Sequence, residues 1–285
     1  MNKYTINHFN KDFPDDDSCL DWLKNYLYPK GVFCEKCQKI TKHYKVRGRT
    51  AYACDLCGNH IYPMAGTIFE KSVTALRLWF YAIYLMSATR CGISAKQIQR
   101  ETGVTYKTAW RMFRQIRSLL QSDNKPSSGE FEIDDTYIGG KRPGKRGRGA
   151  EGKTTVLGMV QRKGKVKALK TADLKRSTVY PLIKASIKPN SKVYTDEFHT
   201  YDSLKTLGYA HHSVNHSLEM WVEGDAHTNA IEGFWSLLKR GINGVYHAVS
   251  EKYLQNYINE YAFRYNHRND DRPMFKTVLG QIVKS

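Results

Sequence analysis

Two sets of side chains have the types and spacing to do chemistry. The first is a set of thiols: Cys34 and Cys37, then sixteen intervening residues, then Cys54 and Cys57. A Cys-x2-Cys pair sets two thiolates on one tight turn, and two such turns close a tetrahedral zinc site. Four thiolates leave no open coordination position, so a zinc held this way is structural; a redox role for either pair is the alternative. The second set is carboxylates, beginning with Asp134. It lies in FEIDDTYIGG, Phe131 to Gly140, where aromatic and β-branched residues closed by Gly-Gly read as a strand. Side chains alternate across a strand, so Phe131, Ile133, Asp135 and Tyr137 share a mostly apolar face that suits a core. Glu132, Asp134 and Thr136 share the other, which suits an open cleft. A mid-strand carboxylate needs a partner or a cation. The alternative is that Asp134 and Asp135 merely end the strand at a turn.

Two further acids follow. Asp196 ends a short strand, Val193-Tyr194-Thr195. Glu232 lies in HTNAIEGFWSLLKRG, which reads as a helix. At ~100° per residue, Ile231, Phe234, Trp235 and Leu238 cluster on one side, and Asn229, Glu232, Ser236, Lys239 and Arg240 on the opposite side. Glu232 and Lys239 point the same way, two turns apart. Taken alone, Glu232 is an ordinary solvated helix residue; its place after Asp196 argues for more.

The elements that position these groups can be read along the chain. Residues 1–30 form a helical lead-in, with Asp15, Asp16 and Asp17 suited to a helix start. Residues 31–66 form the zinc ribbon, with Lys, Thr and Tyr between the cysteine pairs suiting a small hairpin. Cys19 and Cys91 are expected to be buried thiols. Residues 67–122 open with a nearly all-apolar helix over 72–87 and continue as a helix-turn-helix. Ser94 caps its first helix, Thr102-Gly103-Val104 turns the chain, and Thr105 caps the second. That second helix carries Ala109, Met112, Phe113 and Ile116 inward and projects Tyr106, Lys107 and Arg111 outward, where a recognition helix meets DNA. An ordinary helical hairpin is the alternative. After the linker Asp123 to Gly129, the Asp134 strand opens a domain over 130–245, and C-terminal helices occupy 246–285. Between Lys141 and Lys153, the residues Lys141, Arg142, Lys145, Arg146 and Arg148 stud a Gly- and Pro-rich loop, either a phosphate contact or a solvated charge run. Strands over 154–161 and 165–170, helices over 177–187 and 198–207, and a Tyr-rich helix over 250–265 complete the reading.

The net charge, 45 − 27 = +18, favours a polyanionic partner. The longest apolar run, Leu78 to Met86, is nine residues, far short of the ~20 that span a bilayer. No apolar signal segment appears in MNKYTINHFNKDF, so a cytoplasmic protein is expected.

The motifs CEKC, CDLC, AGTIFEKS, GISAKQIQRETGVTYKTAWRM, EIDDTYIGGK, VYTDEFHTY and HTNAIEGFWSLLKRG run nearly end to end in this order. The chain resembles the ISXO-like group of DDE insertion-sequence transposases. That resemblance implies an α/β, ribonuclease-H-like catalytic domain preceded by a small zinc ribbon and a helix-turn-helix domain. It implies Asp134 on the first strand, Asp196 ending the fourth and Glu232 on a later helix, with thirty-five residues between the last two and Lys239 seven beyond Glu232. Two Mg²⁺ ions, with Mn²⁺ able to substitute, would be held by Asp134, Asp196 and Glu232, with Lys239 on a DNA phosphate. Asn229 faces the same cleft and stays a candidate for the third position. The expected partners are DNA, as element ends and target, and further copies of the chain on that DNA, with no membrane. A helix-turn-helix transcription regulator and a ribonuclease-H-type nuclease without strand transfer are the rival readings.

Overall fold

The computed structural model describes residues 4–89, 91–121, 125–139, 152–213 and 228–282. The chain forms two compact units, one of residues 1–119 with 270–285 and one of residues 120–269. The sequence-based segment 246–285 is therefore divided between them.

The first unit opens with helices α1 (Ile6–Asp12) and α2 (Asp16–Leu27). Asp15 caps α2, accepting the Ser18 amide at 2.8 Å, and Asp16 and Asp17 lie in its first turn beside the positive end of the dipole. A hairpin of β1 (Val32–Cys34) and β2 (Lys39–Thr41) follows, then a three-stranded antiparallel sheet of β3 (His43–Lys45), β4 (Tyr52–Cys54) and β5 (His60–Ile61). Helix α3 (Leu76–Ala88) buries Trp79, Phe80 and Ile83. Helices α4 (Ala95–Thr102) and α5 (Tyr106–Ser118) are capped by Ser94 and Thr105, and Gly103 turns between them at φ 72°, a left-handed conformation glycine adopts without strain. Ala109, Met112, Phe113 and Ile116 of α5 are buried. A C-terminal helix (Met274–Leu279) belongs here as well, because Phe275 packs against Tyr4, Phe9 and Phe13. Cys19 is buried as expected, whereas Cys91 is exposed.

The second unit is built on β6 (Glu130–Gly139), β7 (Lys153–Gln161), β8 (Val166–Thr171), β9 (Lys192–Thr195) and β10 (Ala210–Ser213). Their order is β10-β9-β6-β7-β8. The first three strands of the unit form an antiparallel meander; β9 lies parallel to β6 and β10 parallel to β9. This order and mix of directions is the ribonuclease-H-like arrangement. Helix α6 (Arg176–Lys184) covers one face, where Phe131, Ile133, Leu157, Met159, Val179 and Ile183 form a core. Helices α7 (Asn229–Gly241) and α8 (Leu254–Asn266) cover the other, where Ile138, Val156, Val160, Ile231, Trp235 and Ile258 form a second core. The terminal helix of the chain, given above, is α9. The edge strand β8 is protected by α8: Asn266 pairs with both the N–H and C=O of Val166, and Gln255 with the N–H of Lys170 and the C=O of Ala168. Residues 198–207 are not one helix: only Asp202–Leu207 is helical, as 3-10 turns, and Tyr201 is fully buried. Among the described residues no helix is long and apolar enough to cross a membrane.

The face of β6 expected to be an open cleft is largely closed. Glu132 is fully buried, and Thr136 and Ile138 are nearly so; Asp134 alone of the even-numbered residues from 132 to 138 keeps partial exposure. The reason is α7, which lies against β6 and β7. It approaches closely because Gly158, paired with Asp134 across the ladder, has no side chain: a Cβ there would stand 2.5 Å from Trp235 Cζ2 and 2.7 Å from Ile231 Cδ1. Gly158→Ala is therefore expected to destabilise the protein by ~1–3 kcal/mol through overpacking. Urea denaturation of the full chain checks this; an unchanged midpoint would contradict the close approach.

Candidate active site and metal centre

Asp134 and Asp196 are brought side by side by strand register. The parallel pairing of β6 and β9 ends at Glu132 opposite Tyr194; Asp134 lies two residues further along β6, and Asp196 lies just past the end of β9. Trp235 Nε1 donates to Asp134 Oδ2 at 2.9 Å. Burial, then the neighbouring charges of Asp135 and Asp196, push the Asp134 carboxyl up to about 7, against the pull of the Asp135 amide and the Trp235 indole. Asp196 is held by its own turn: its Oδ1 accepts the Phe198 amide at 3.2 Å, an Asx turn. Behind it, the buried Thr195 hydroxyl donates to the Asp196 carbonyl at 2.7 Å and meets His211 Nε2 at 2.9 Å. The hydroxyl proton is thus committed, so His211 donates from Nε2. Burial, followed by the nearby Lys205, lowers the His211 pKa and favours the neutral ring, here in the tautomer protonated at Nε2.

The exposed residues of α7 are Asn229, Glu232, Gly233, Ser236, Lys239 and Arg240, while Ile231, Phe234, Trp235 and Leu238 are buried. Glu232 Oε1 accepts the Thr228 hydroxyl at 2.9 Å. The helix is fastened to β6 at two points. Glu132 Oε2 accepts the amides of Ala230 and Ile231 at 2.8 and 3.1 Å, and Trp235 reaches Asp134. Four helical residues advance ~6 Å and two strand residues ~6.6 Å, so two such fastenings align α7 alongside β6. Glu132 also binds Arg162 Nε at 3.1 Å, and the guanidinium lies 3.8 Å over the Tyr194 ring. Sequence parity placed Glu132 on the right face but gave no sign of this role. The signal available was Ile138 on that same face, which marks it as covered.

Among the described residues, the cysteines are the one set of three or more thiol, imidazole or carboxylate ligands close enough to hold a metal ion. Asp134 and Asp196 are neighbours, but Glu232 is not drawn into a closed cluster with them. The pair still fits a divalent cation. Two adjacent carboxylates, one of them pushed toward protonation by burial and like charge, are what a +2 ion would hold ionised. Lys141, Arg142, Lys145, Arg146 and Arg148 lie outside the described residues.

The zinc ribbon fits its metal closely. All four Sγ atoms lie within 4.8 Å of one another, with Cys34 and Cys57 at 3.5 Å and Cys37 and Cys54 at 3.9 Å. Tetrahedral zinc with ~2.3 Å bonds to sulfur requires separations of about 3.8 Å. The two turns are alike: Gln38 N bonds Cys34 O and Gly58 N bonds Cys54 O, with Gln38 and Gly58 both at positive φ. The Thr41 hydroxyl, 3.2 Å from Cys54 Sγ, brings that thiol down to about 6, favouring the thiolate a metal needs.

On α5, Tyr106, Lys107 and Arg111 are exposed. Lys96 lies over the Tyr106 ring at 4.8 Å, and Arg111 is braced by the Trp79 ring at 5.9 Å and Ser72 Oγ at 3.4 Å. Arg114, seven residues beyond Lys107 on the same side of the helix, is exposed beside Trp110. It extends the basic face beyond the residues singled out from sequence.

Parts of this chain match known protein families. The ISXO2-like transposase domain matches residues 126–266, and the transposase zinc-ribbon domain matches residues 14–60. An uncharacterized protein in transposable element ISH50 of Halobacterium salinarum is 27% identical over 289 residues, covering 94% of this chain and 97% of that protein. An uncharacterized transposase-like protein of Haemophilus influenzae is 30% identical over 122 residues, covering 43% of this chain and 96% of that protein. Among solved structures, a chain in the cryo-EM structure of the simian T-cell lymphotropic virus intasome with PP2A regulatory subunit B56 gamma aligns over 65% of each chain, at 16% identity and a TM-score of 0.31. The chain belongs to the ISXO2-like transposases, with a transposase zinc ribbon followed by a DDE-family transposase domain.

Metal analysis of the purified chain is expected to find one zinc per chain. Cys54→Ser should lose that zinc and unfold the ribbon while the second unit keeps its cooperative unfolding transition. A metal-free protein with an ordered ribbon would contradict the assignment.

Proposed function

We propose that this transposase binds the ends of an insertion sequence, cleaves DNA there and joins the 3′-hydroxyl ends to target DNA. The observation that carries the reading is Asp134 on β6 beside Asp196, which follows the adjacent parallel strand β9, with α7 fastened to β6 at Asp134. Asp134, Asp196 and Glu232 would hold two divalent ions, Mg²⁺ by the hardness of the oxygen donors, with Mn²⁺ able to substitute. When bound, such ions activate the attacking oxygen and stabilise the leaving one in an in-line displacement. The chain's own contributions are separable. Trp235 fixes one oxygen of Asp134, and the turn at Phe198 fixes one of Asp196. Thr228 orients Glu232. Asn229, one turn before Glu232, contributes a positioning hydrogen bond, and Lys239, two turns after it, holds a DNA phosphate as a point charge.

DNA is engaged by the helix-turn-helix of α4 and α5, through Tyr106, Lys107 and Arg111, together with the ribbon. Lys141, Arg142, Lys145, Arg146 and Arg148 add phosphate contacts. Two or more copies act together on DNA, since two element ends must be joined to one target.

The mutational test is direct. Asp134→Asn, Asp196→Asn and Glu232→Gln are each expected to slow cleavage and joining by on the order of a thousandfold or more, with DNA binding intact, because each removes an ionised ligand from a two-metal centre. Asn229→Ala should keep measurable activity, losing a hydrogen bond of ~1–2 kcal/mol. Asp135→Asn should be tolerated better than Asp134→Asn. The measurement is divalent-metal-dependent cleavage of a duplex bearing the element end, run beside a gel shift; a labelled 3′-hydroxyl donor separates joining from cleavage alone. Activity surviving Asp134→Asn or Asp196→Asn would overturn the two-metal reading. Activity surviving Glu232→Gln with Asn229→Ala dead would transfer the third position to Asn229.

Binding should weaken steeply with salt, as counterion release requires. Lys107→Ala and Arg111→Ala should cost ~1–3 kcal/mol on element ends and less on random DNA if α5 reads bases. Equal losses on both DNAs would make these residues phosphate contacts.

A further inference from the structure

Helix α7 starts without a cap of its own. Thr228 stands at the N-cap position but makes no side-chain bond to a helix amide, and its hydroxyl goes to Glu232. The second and third amides of the helix are those an N-cap side chain ordinarily takes. Here they belong to Ala230 and Ile231, and both donate to Glu132 Oε2, at 2.8 and 3.1 Å. Glu132 lies two residues before Asp134 on β6 and is fully buried. Its other oxygen binds Arg162, whose guanidinium lies on Tyr194, two residues before Asp196. One buried carboxylate thereby connects the strand of Asp134, the strand of Asp196 and the first turn of the helix that carries Asn229 and Glu232.

We propose that Glu132 is a positioning residue for phosphoryl transfer. It caps α7 from across the sheet and so sets the height and rotation of the first turn, which aims Asn229 and Glu232 at the Asp134–Asp196 pair. The division of labour is chemical. Thr228 is released from capping and orients Glu232, while Glu132, enclosed by Arg162 and two amides, has its acceptor capacity directed into the fold. This rests on the reading of Asp134, Asp196 and α7 as the metal-binding centre.

The test is Mn²⁺ binding to the zinc-loaded full chain, followed by electron paramagnetic resonance of free Mn²⁺, with cleavage measured across the same titration. Glu132→Gln is expected to weaken Mn²⁺ binding by about tenfold, as loss of an outer partner does at metal sites. DNA binding should be unchanged, and cleavage should recover at high Mn²⁺. Glu132→Asp keeps the charge facing Arg162 but withdraws it from the two amides; it is expected to behave likewise and serves if the Gln variant does not fold. A role confined to stability would lower the melting temperature and leave Mn²⁺ affinity at the wild-type value, which would overturn the proposal. Asp134→Asn, Glu232→Gln and Asn229→Ala are titrated in parallel. If Glu232→Gln or Asn229→Ala weakens Mn²⁺ binding and the Glu132 variants do not, the proposal alone fails. If only Asp134→Asn weakens it, α7 supplies no ligand, and the underlying reading fails with the proposal.

Discussion

A helix laid over the face of β6 that carries Glu132 and Asp134 must cover two carboxylates in one turn of strand. Removing an ionised carboxylate from water costs several kcal/mol unless its partners replace the lost solvation. At Glu132 the replacement is complete: a guanidinium, two backbone amides and the positive end of the α7 dipole all converge on it. At Asp134 it is partial: an indole N–H on one oxygen, the Asp135 amide, and partial solvent exposure. The difference separates a fully enclosed carboxylate from a partly solvated one on a single strand. The rest of the second unit follows from it. Apolar packing through Ile231, Trp235 and Leu238 presses α7 onto the sheet, the bare Gly158 lets it approach, and α8 packs beside it against β8.

The ribbon in the first unit has a different constraint. Its strands are two or three residues long, and Phe33, Ile40, Tyr44 and Leu56 remain exposed. Little apolar area is available to hold two Cys-x2-Cys turns together, so metal binding has to supply much of the folding free energy. The contacts to α2 are polar or mixed: Tyr52 donates to Asp21, and Lys24 lies over the Tyr52 ring at 4.4 Å. The aromatic core formed by Phe9, Phe13, Phe80 and Phe275 serves the helices instead and includes the last helix of the chain.

How much of this was legible in the sequence depends on how local the determining physics is. Cysteine spacing is local, and the four sulfurs meet. Caps are local too: Asp15, Ser94 and Thr105 start α2, α4 and α5, as side chains that can accept a helix amide should. The wheel over α7 separates buried from exposed residues because a 3.6-residue period survives any environment. What failed was inference from polarity to openness. Glu132 and Thr136 are polar and buried because α7, a hundred residues away in sequence, covers them. The run Val156 to Val160 in β7, apolar at nearly every position, was the sign that both sheet faces are covered. The helical wheel accounts for the Trp235 ring in the core; its N–H, which needs an acceptor when buried, is what ties it to Asp134. The stretch from 198 to 207 read as helix because its apolar spacing is compatible with either 3-10 or α geometry, and the Asx turn at Asp196 sets where the chain resumes.

The central claim is that Asp134 and Asp196 form a shared cation site completed from α7. Its most direct test is a crystal of the full chain with element-end DNA grown in Mn²⁺, with anomalous diffraction recorded at the manganese edge. The account predicts anomalous peaks between the Asp134 and Asp196 carboxylates, with Glu232 or Asn229 completing the coordination from the helix. Manganese bound elsewhere on the chain, with these two carboxylates bare, would contradict it.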